Sequence, residues 1–183
     1  MTEFVPYGKT PRLFRDVIVT EKIDGTNGQV YVDPDGNVFA GSRKRWVVPG
    51  DDNFGFAAWV YDHADLLADA LGEGRHWGEW WGHGIQRGYG LDKGDKRFSL
   101  FAPDRYEPDR IAGIRGLSTV PVLYRGPLTT EVVEGQLERL SRVGSLAAPG
   151  YDRPEGVIVF HTAARQVFKA MLEGDDRPKG QAA

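Results

Sequence analysis

Cysteine is absent from the 183 residues, which excludes disulfides, thiolate metal sites and cysteine redox chemistry and leaves the compartment unmarked by cysteine usage. Long apolar runs are lacking too, and the opening Met1-Thr2-Glu3-Phe4-Val5-Pro6 has neither the basic stretch nor the apolar core of a secretory leader. A cytoplasmic protein with no membrane partner is expected. Nor is there an excess of positive charge: the formal net charge is −3, so any nucleic-acid contact has to rest on locally clustered cations. Histidine is sparse, and His63, His76, His83 and His161 are not paired with carboxylates at metal-ligand spacing, which argues against zinc. Neither a Walker-type phosphate loop nor a dinucleotide-binding glycine fingerprint stands at a strand-to-helix turn. Internal repeats and low-complexity stretches are likewise missing.

What is present suits a single folded unit. Hydrophobic residues make up 40%, aromatics 11% and charged residues 27% of the chain, a globular balance with an aromatic-rich core. Val17–Thr20 reads as a strand. Gln29–Val32 and Val38–Ala40 flank the turn Asp33-Pro34-Asp35-Gly36, which predicts a hairpin. Strands are predicted also over His76–Trp81, Phe98–Phe101, Val120–Tyr124, Gly156–Phe160 and Gln166–Met171. From an N-cap at Asn53, Phe56, Val60, Ala64, Leu67 and Leu71 recur at helical spacing until Gly72. A second helix starts at Thr129, sets Val133, Leu137, Leu140 and Val143 on one face, and stops at Gly144. Strands with helices packed outside them make an α+β fold.

The segment with most chemical content is Thr20-Glu21-Lys22-Ile23-Asp24-Gly25-Thr26-Asn27-Gly28. It carries a lysine out of a strand into a loop slim enough to approach phosphates. A lysine with a reference pKa of about 10.4 becomes nucleophilic only when desolvation or neighbouring cations disfavour its charge. Taken alone, the string also fits a solvated turn. Other polar residues sit at similarly marked places: Arg43 after the hairpin, Glu79 between aromatics, and Glu155 before a core strand. Each has a plain reading as well, as a solvated arginine, the outward face of a strand and an exposed turn carboxylate.

In order and spacing these segments resemble the covalent nucleotidyltransferase superfamily of ATP-dependent ligases and messenger RNA capping enzymes, over about residues 17–172. The run Glu21-Lys22-Ile23-Asp24-Gly25-Thr26-Asn27 is similar to the nucleotide-attachment motif of the RNA ligase branch, which implies adenylation of Lys22. Asp24 and Asn27 would organise the loop or the metal waters, with Glu21 counted among the ATP-site residues. Gly41-Ser42-Arg43 resembles the next motif and implies that Arg43 meets the ribose or a terminal phosphate or hydroxyl. Gly78-Glu79-Trp80-Trp81-Gly82 resembles the third, in which Glu79 accepts from the ribose hydroxyls. Phe98-Ser99-Leu100-Phe101 is similar to the stretch whose aromatic, here Phe101, stacks on the purine, although Ala102-Pro103 replaces the usual aspartate. Glu155-Gly156-Val157-Ile158-Val159 resembles the fourth motif and makes Glu155 the metal-positioning carboxylate. Phe168-Lys169-Ala170-Met171 takes the place of a Lys-x-Lys motif and makes Lys169 the phosphate-binding charge. Either Met171 stands where the second lysine is expected or Val167 stands where the first is.

The resemblance implies an adenylyltransferase (ATP-grasp-like) domain of two antiparallel β-sheets with flanking helices and the nucleotide in the groove between them. It implies ATP and Mg²⁺ or Mn²⁺ as cofactors, and RNA or DNA ends bearing a 5′-phosphate and a 3′-hydroxyl as partners. Residues 1–174 would form this domain and 175–183 a flexible tail, with no OB-fold or other C-terminal accessory domain and with room for a partner protein that adds substrate grip. Three other readings remain: a DNA nick-sealing ligase, a nucleotide- or nucleic-acid-binding module with a degenerate fifth motif, and an interaction protein built on the aromatic stretch His76–Trp81.

Overall fold

A computed structural model describes residues 2–52 and 54–174. Strands β1 (Asp16–Lys22), β2 (Thr26–Val32) and β3 (Val38–Ser42) precede helices α1 (Phe56–Asp62) and α2 (Ala64–Leu71). Next come β4 (Gly74–Gly82), β5 (Lys96–Leu100), the short α3 (Pro108–Ile111), β6 (Leu117–Thr119) and β7 (Val122–Pro127). Helix α4 (Thr130–Val143) and strands β8 (Gly156–His161) and β9 (Gln166–Met171) complete the fold. The positions predicted to form a tail, 175–183, lie outside the described residues. Among the described residues, no helix is long and apolar enough to cross a membrane.

The strands form two sheets, one in the order β7-β1-β8-β9 and one in the order β3-β2-β4-β5-β6. The first is antiparallel throughout. The second is mixed, because β5 and β6 run parallel, whereas the family resemblance implies antiparallel sheets. The chain between them passes through the turn at Pro103–Arg105 and through α3, the kind of crossover that parallel neighbours require.

Two predicted elements are each divided. The helix over 53–71 breaks at His63, whose backbone leaves the helical region (φ −117°, ψ 15°) and whose Nδ1 lies 2.8 Å from the Trp59 carbonyl oxygen. Asn53, the predicted cap, lies outside the described residues. The Asp52 carboxylate accepts from the amides of Gly55 at 3.1 Å and Ala57 at 2.7 Å at the start of α1. The strand over Val120–Tyr124 is cut by Pro121, which has no amide hydrogen to give to a ladder. The chain there leaves the second sheet after Thr119 and enters the first at Val122. Helix α4 begins as predicted, with Thr129 Oγ1 accepting from Val132 N at 3.2 Å. Leu140 is fully buried, but Val143 is 53% exposed and falls outside the apolar face.

Each sheet covers one face with helices. Val30, Trp80, Phe98 and Leu100 of the second sheet pack on Phe56, Val60 and Leu67 of α1 and α2. Val17, Val19, Val157 and Val159 of the first sheet pack against α4 around Leu140. Where the sheets meet, Ile23, Trp81, Tyr89, Val120 and Ala148 form a third cluster. Two glycines allow close approach here. A Cβ on Gly28 would lie 2.7 Å from the Phe56 ring, and one on Gly25 would lie 2.4 Å from the Trp80 carbonyl oxygen. The loop after Lys22 is thereby pressed directly onto β4.

Candidate active site

Lys22 is the last residue of β1, and its register partner on β8 is Gly156. Glu155, one residue earlier, therefore arrives beside it, and Lys22 Nζ donates to Glu155 Oε2 in an ion pair whose side chains are 22% and 13% exposed. Side chains alternate along a strand, so Thr20 and Lys22 share one face of β1, and Val17, Val19 and Glu21 share the other. The cross-strand rows Thr20–Ile158–Lys169 and Lys22–Gly156–Met171 bring Lys169 and Met171 onto the Lys22 face. Lys169 is exposed there. Met171 occupies the row of Lys22 itself.

On the second sheet, Asn27 of β2 lies opposite Glu79 of β4. The Glu79 carboxylate accepts from Asn27 Nδ2 at 2.8 Å and from Gly25 N at 3.1 Å. Burial pushes the Glu79 pKa up to about 7, against the downward pull of the Asn27 bond, the Lys22 charge and the Gly25 amide; the Glu155 charge adds to the rise. These mutual influences place Lys22, Glu79 and Glu155 in one electrostatic neighbourhood. The raised value sets a sign: the contribution of Glu79 to stability is full below its unfolded value and is lost as pH rises through about 7. Thermal unfolding of wild type and Glu79→Gln at about pH 5 and about pH 8.5 checks this. The wild-type melting temperature should fall relative to that of the variant at the higher pH.

Asp24 is held from two sides. Its carboxylate accepts from Arg87 Nε at 3.1 Å, and its amide donates to Tyr89 Oη at 2.8 Å. Arg87 also donates to the Arg153 carbonyl at 3.0 Å, which ties the loop to the segment leading into Glu155. Phe101 is 36% exposed at the end of β5, and its amide donates to the Trp77 carbonyl at 2.8 Å. That bond continues the β4–β5 register by one step and sets Phe101 on the face of Glu79, one row along. Arg43 follows β3 directly and is exposed at the rim of the same sheet.

Glu21 is the one predicted side chain that the fold does not bring to this group. It is 1% exposed on the opposite face of β1, where its carboxylate accepts from Ser145 Oγ at 2.5 Å, Leu146 N at 2.8 Å and Ala147 N at 3.0 Å. Alternation along β1 is the physical reason, since neighbours of Lys22 must point away from it. Burial raises the Glu21 pKa, and the three donors oppose that rise without cancelling it.

Sequence reasoning assigns no role to Arg87, Tyr89 or Ser145. The only signal for the first two is the glycine-flanked run Gly84-Ile85-Gln86-Arg87-Gly88-Tyr89-Gly90, in which Tyr89 takes a left-handed conformation (φ 52°) and is buried. Nothing near Ser145 marks it. Two hollows of about 350 and 280 Å³ flank Arg97, and neither is lined by Lys22, Glu79 or Glu155. Among the described residues no three His, Asp or Glu side chains gather at metal-binding distance.

A family model described as RNA ligase matches residues 15–171, while no curated protein matches the chain. Among solved structures the chain is similar to Naegleria gruberi RNA ligase. A lysine-to-alanine mutant of that enzyme with ATP and Mn superposes with a TM-score of 0.59 at 19% identity, over 86% of this chain and 49% of that one. A lysine-to-methionine mutant with AMP and Mn gives 0.58 at 19% identity over 86% and 49%. A glutamate-to-alanine mutant with ATP and Mn gives 0.61 at 17% identity over 87% and 50%. The chain thus spans about half the length of these relatives, and at such identity the likeness is one of fold. The extent of the family match, covering both sheets from just before β1 to the end of β9, is what assigns the protein: it belongs to the RNA ligase family.

Proposed function

We propose that this chain is an ATP-dependent RNA ligase-type nucleotidyltransferase that carries AMP on Lys22 Nζ and passes it to a 5′-phosphate on RNA. The observation that carries the reading is the Lys22–Glu155 ion pair at the meeting of the two sheets, with Glu79 and Asn27 beside it. Lys22 Nζ has to lose a proton before it can attack, and Glu155 Oε2, already in contact, is placed to take it. The Nζ lone pair then forms a bond to the α-phosphorus as the bond to pyrophosphate breaks. Lys169, on the same face, adds positive charge where negative charge develops.

Glu79 suits the ribose hydroxyls, because each carboxylate oxygen keeps a second lone pair after serving Gly25 and Asn27. Phe101 offers a ring to the adenine and Arg43 a planar fork to ribose or phosphate. Glu155 supplies the hard oxygen that Mg²⁺ or Mn²⁺ prefers, and without a three-residue cluster such an ion would take most of its ligands from phosphate and water. When bound, it would add charge stabilisation at the phosphates. In the second half-reaction a 3′-hydroxyl displaces AMP from the activated end and closes the phosphodiester.

The test is intact-mass measurement of the full chain, shown to be unmodified beforehand, after incubation with ATP and either metal. A gain of one adenylyl group is expected. Met171, in the row of Lys22, favours a second reading, a binding module with no covalent step, and absence of the adduct under both metals would establish it. Parallel RNA and DNA acceptors then separate an RNA ligase from a DNA nick-sealing one.

A further inference from the structure

The helix-free face of the second sheet continues well beyond Glu79. Moving along β2 and β4 away from Lys22, the row after Asn27–Glu79 is Gln29–Trp77, and the row after that is Phe39–Tyr31–Arg75. Alternate residues share a face, so all of these side chains stand on the Glu79 side. Trp46 joins them, with its ring 5.9 Å from Tyr31 and 6.0 Å from Phe39. The Arg75 guanidinium lies 4.6 Å from the Tyr31 ring centroid and 5.5 Å from that of Trp46, and it donates to Gln29 Oε1 at 2.9 Å. Despite this mutual packing the rings stay open to solvent: Phe39 is 39%, Trp46 49% and Trp77 41% exposed. The shelf runs about 14 Å along the strands from the Asn27–Glu79 row.

We propose that this aromatic and arginine shelf is the binding surface for single-stranded RNA next to the end being joined, with bases stacked on Trp46, Trp77 and the Tyr31–Arg75 pair. This rests on the nucleotidyltransferase reading, whose groove the shelf extends. Three features select a nucleic-acid strand as the occupant. Flat rings with an arginine held over them form a stacking platform that accepts any base. The platform is continuous with the face that carries Glu79 and Phe101. The exposed cations Arg43 and Lys44 lie in the short segment between β3 and Trp46, whose third cation, Arg45, is paired with Asp51, and supply the local charge that phosphates need in a chain of net charge −3.

Anisotropy of a labelled, 5′-phosphorylated single-stranded oligoribonucleotide of about 12 residues tests the assignment on the full chain. The comparison is between wild type, Trp46→Leu/Trp77→Leu and Trp46→Phe/Trp77→Phe. The leucine pair should bind about 5- to 100-fold more weakly, and the phenylalanine pair should recover most of the loss. The AMP adduct, read by intact mass on the same preparations, should be unchanged in both. Equal RNA affinity in wild type and the leucine pair overturns the shelf and leaves the face to a protein. That result is independent of the adduct, whose absence from wild type would instead defeat the adenylation reading.

Discussion

Lys22→Ala is expected to abolish the adenylyl adduct proposed for Nζ, under Mg²⁺ and under Mn²⁺, because among the described residues no other nucleophile takes its place on β1. Thr20 shares its face, but a hydroxyl two residues back on the same strand sits about 7 Å away along the sheet. Lys22→Arg should lose the adduct equally. A guanidinium keeps the positive charge and can still bridge to Glu155, yet it does not deprotonate and so has no lone pair to offer. The two variants part in stability. Alanine leaves the half-buried Glu155 carboxylate without its cation and should cost about 1–2 kcal/mol, whereas arginine should cost less. Intact mass reads the first effect and urea unfolding the second. An adduct surviving in either variant would move the attachment point to another residue.

Glu21→Ala is the substitution expected to destabilise the fold most. It strips the acceptor from Ser145 Oγ and from the amides of Leu146 and Ala147. Donors left unpaired in the interior each carry a desolvation penalty, and a combined loss of about 3 kcal/mol is expected. Glu21→Gln should be milder, at about 1 kcal/mol. Its carbonyl oxygen can serve both backbone amides, and only the bond with Ser145 must be rearranged. Because burial raises the Glu21 pKa, the carboxyl contributes most below its unfolded value and less as pH rises through its folded one. The deficit of the glutamine variant should therefore shrink as pH increases. Urea midpoints at several pH values read both effects; an alanine variant as stable as wild type would mean that the segment after α4 is held by other contacts.

Most strands and their alternation were legible in the sequence because β-branched and aromatic runs bounded by turn residues have few other ways to fold. Lys22, Asn27, Glu79 and Glu155 were singled out by the resemblance of their segments to the nucleotidyltransferase motifs; strand and turn patterning alone also fitted a solvated turn, a strand's outward face and an exposed carboxylate. Glu21 shows the limit. Motif membership says nothing about which way a side chain points, and alternation turns it to the rear. The break at His63 and the choice of β6 as the parallel neighbour of β5 depend on tertiary packing that local propensity does not encode. Arg87 and Tyr89 escaped because their partner Asp24 is more than sixty positions away, a contact that no spacing rule reaches.

The ion pair at the centre of the site joins positions 133 residues apart, and β8, which delivers Glu155, lies between β1 and β9 in its sheet. During synthesis the lysine emerges 133 residues ahead of its acidic neighbour. Until that late strand slots in, Lys22 lacks the carboxylate that pairs with it in the folded protein. The pairing is thus timed by assembly: under the adenylation proposed for Lys22, a chain still short of β8 would lack the site with which to consume nucleotide.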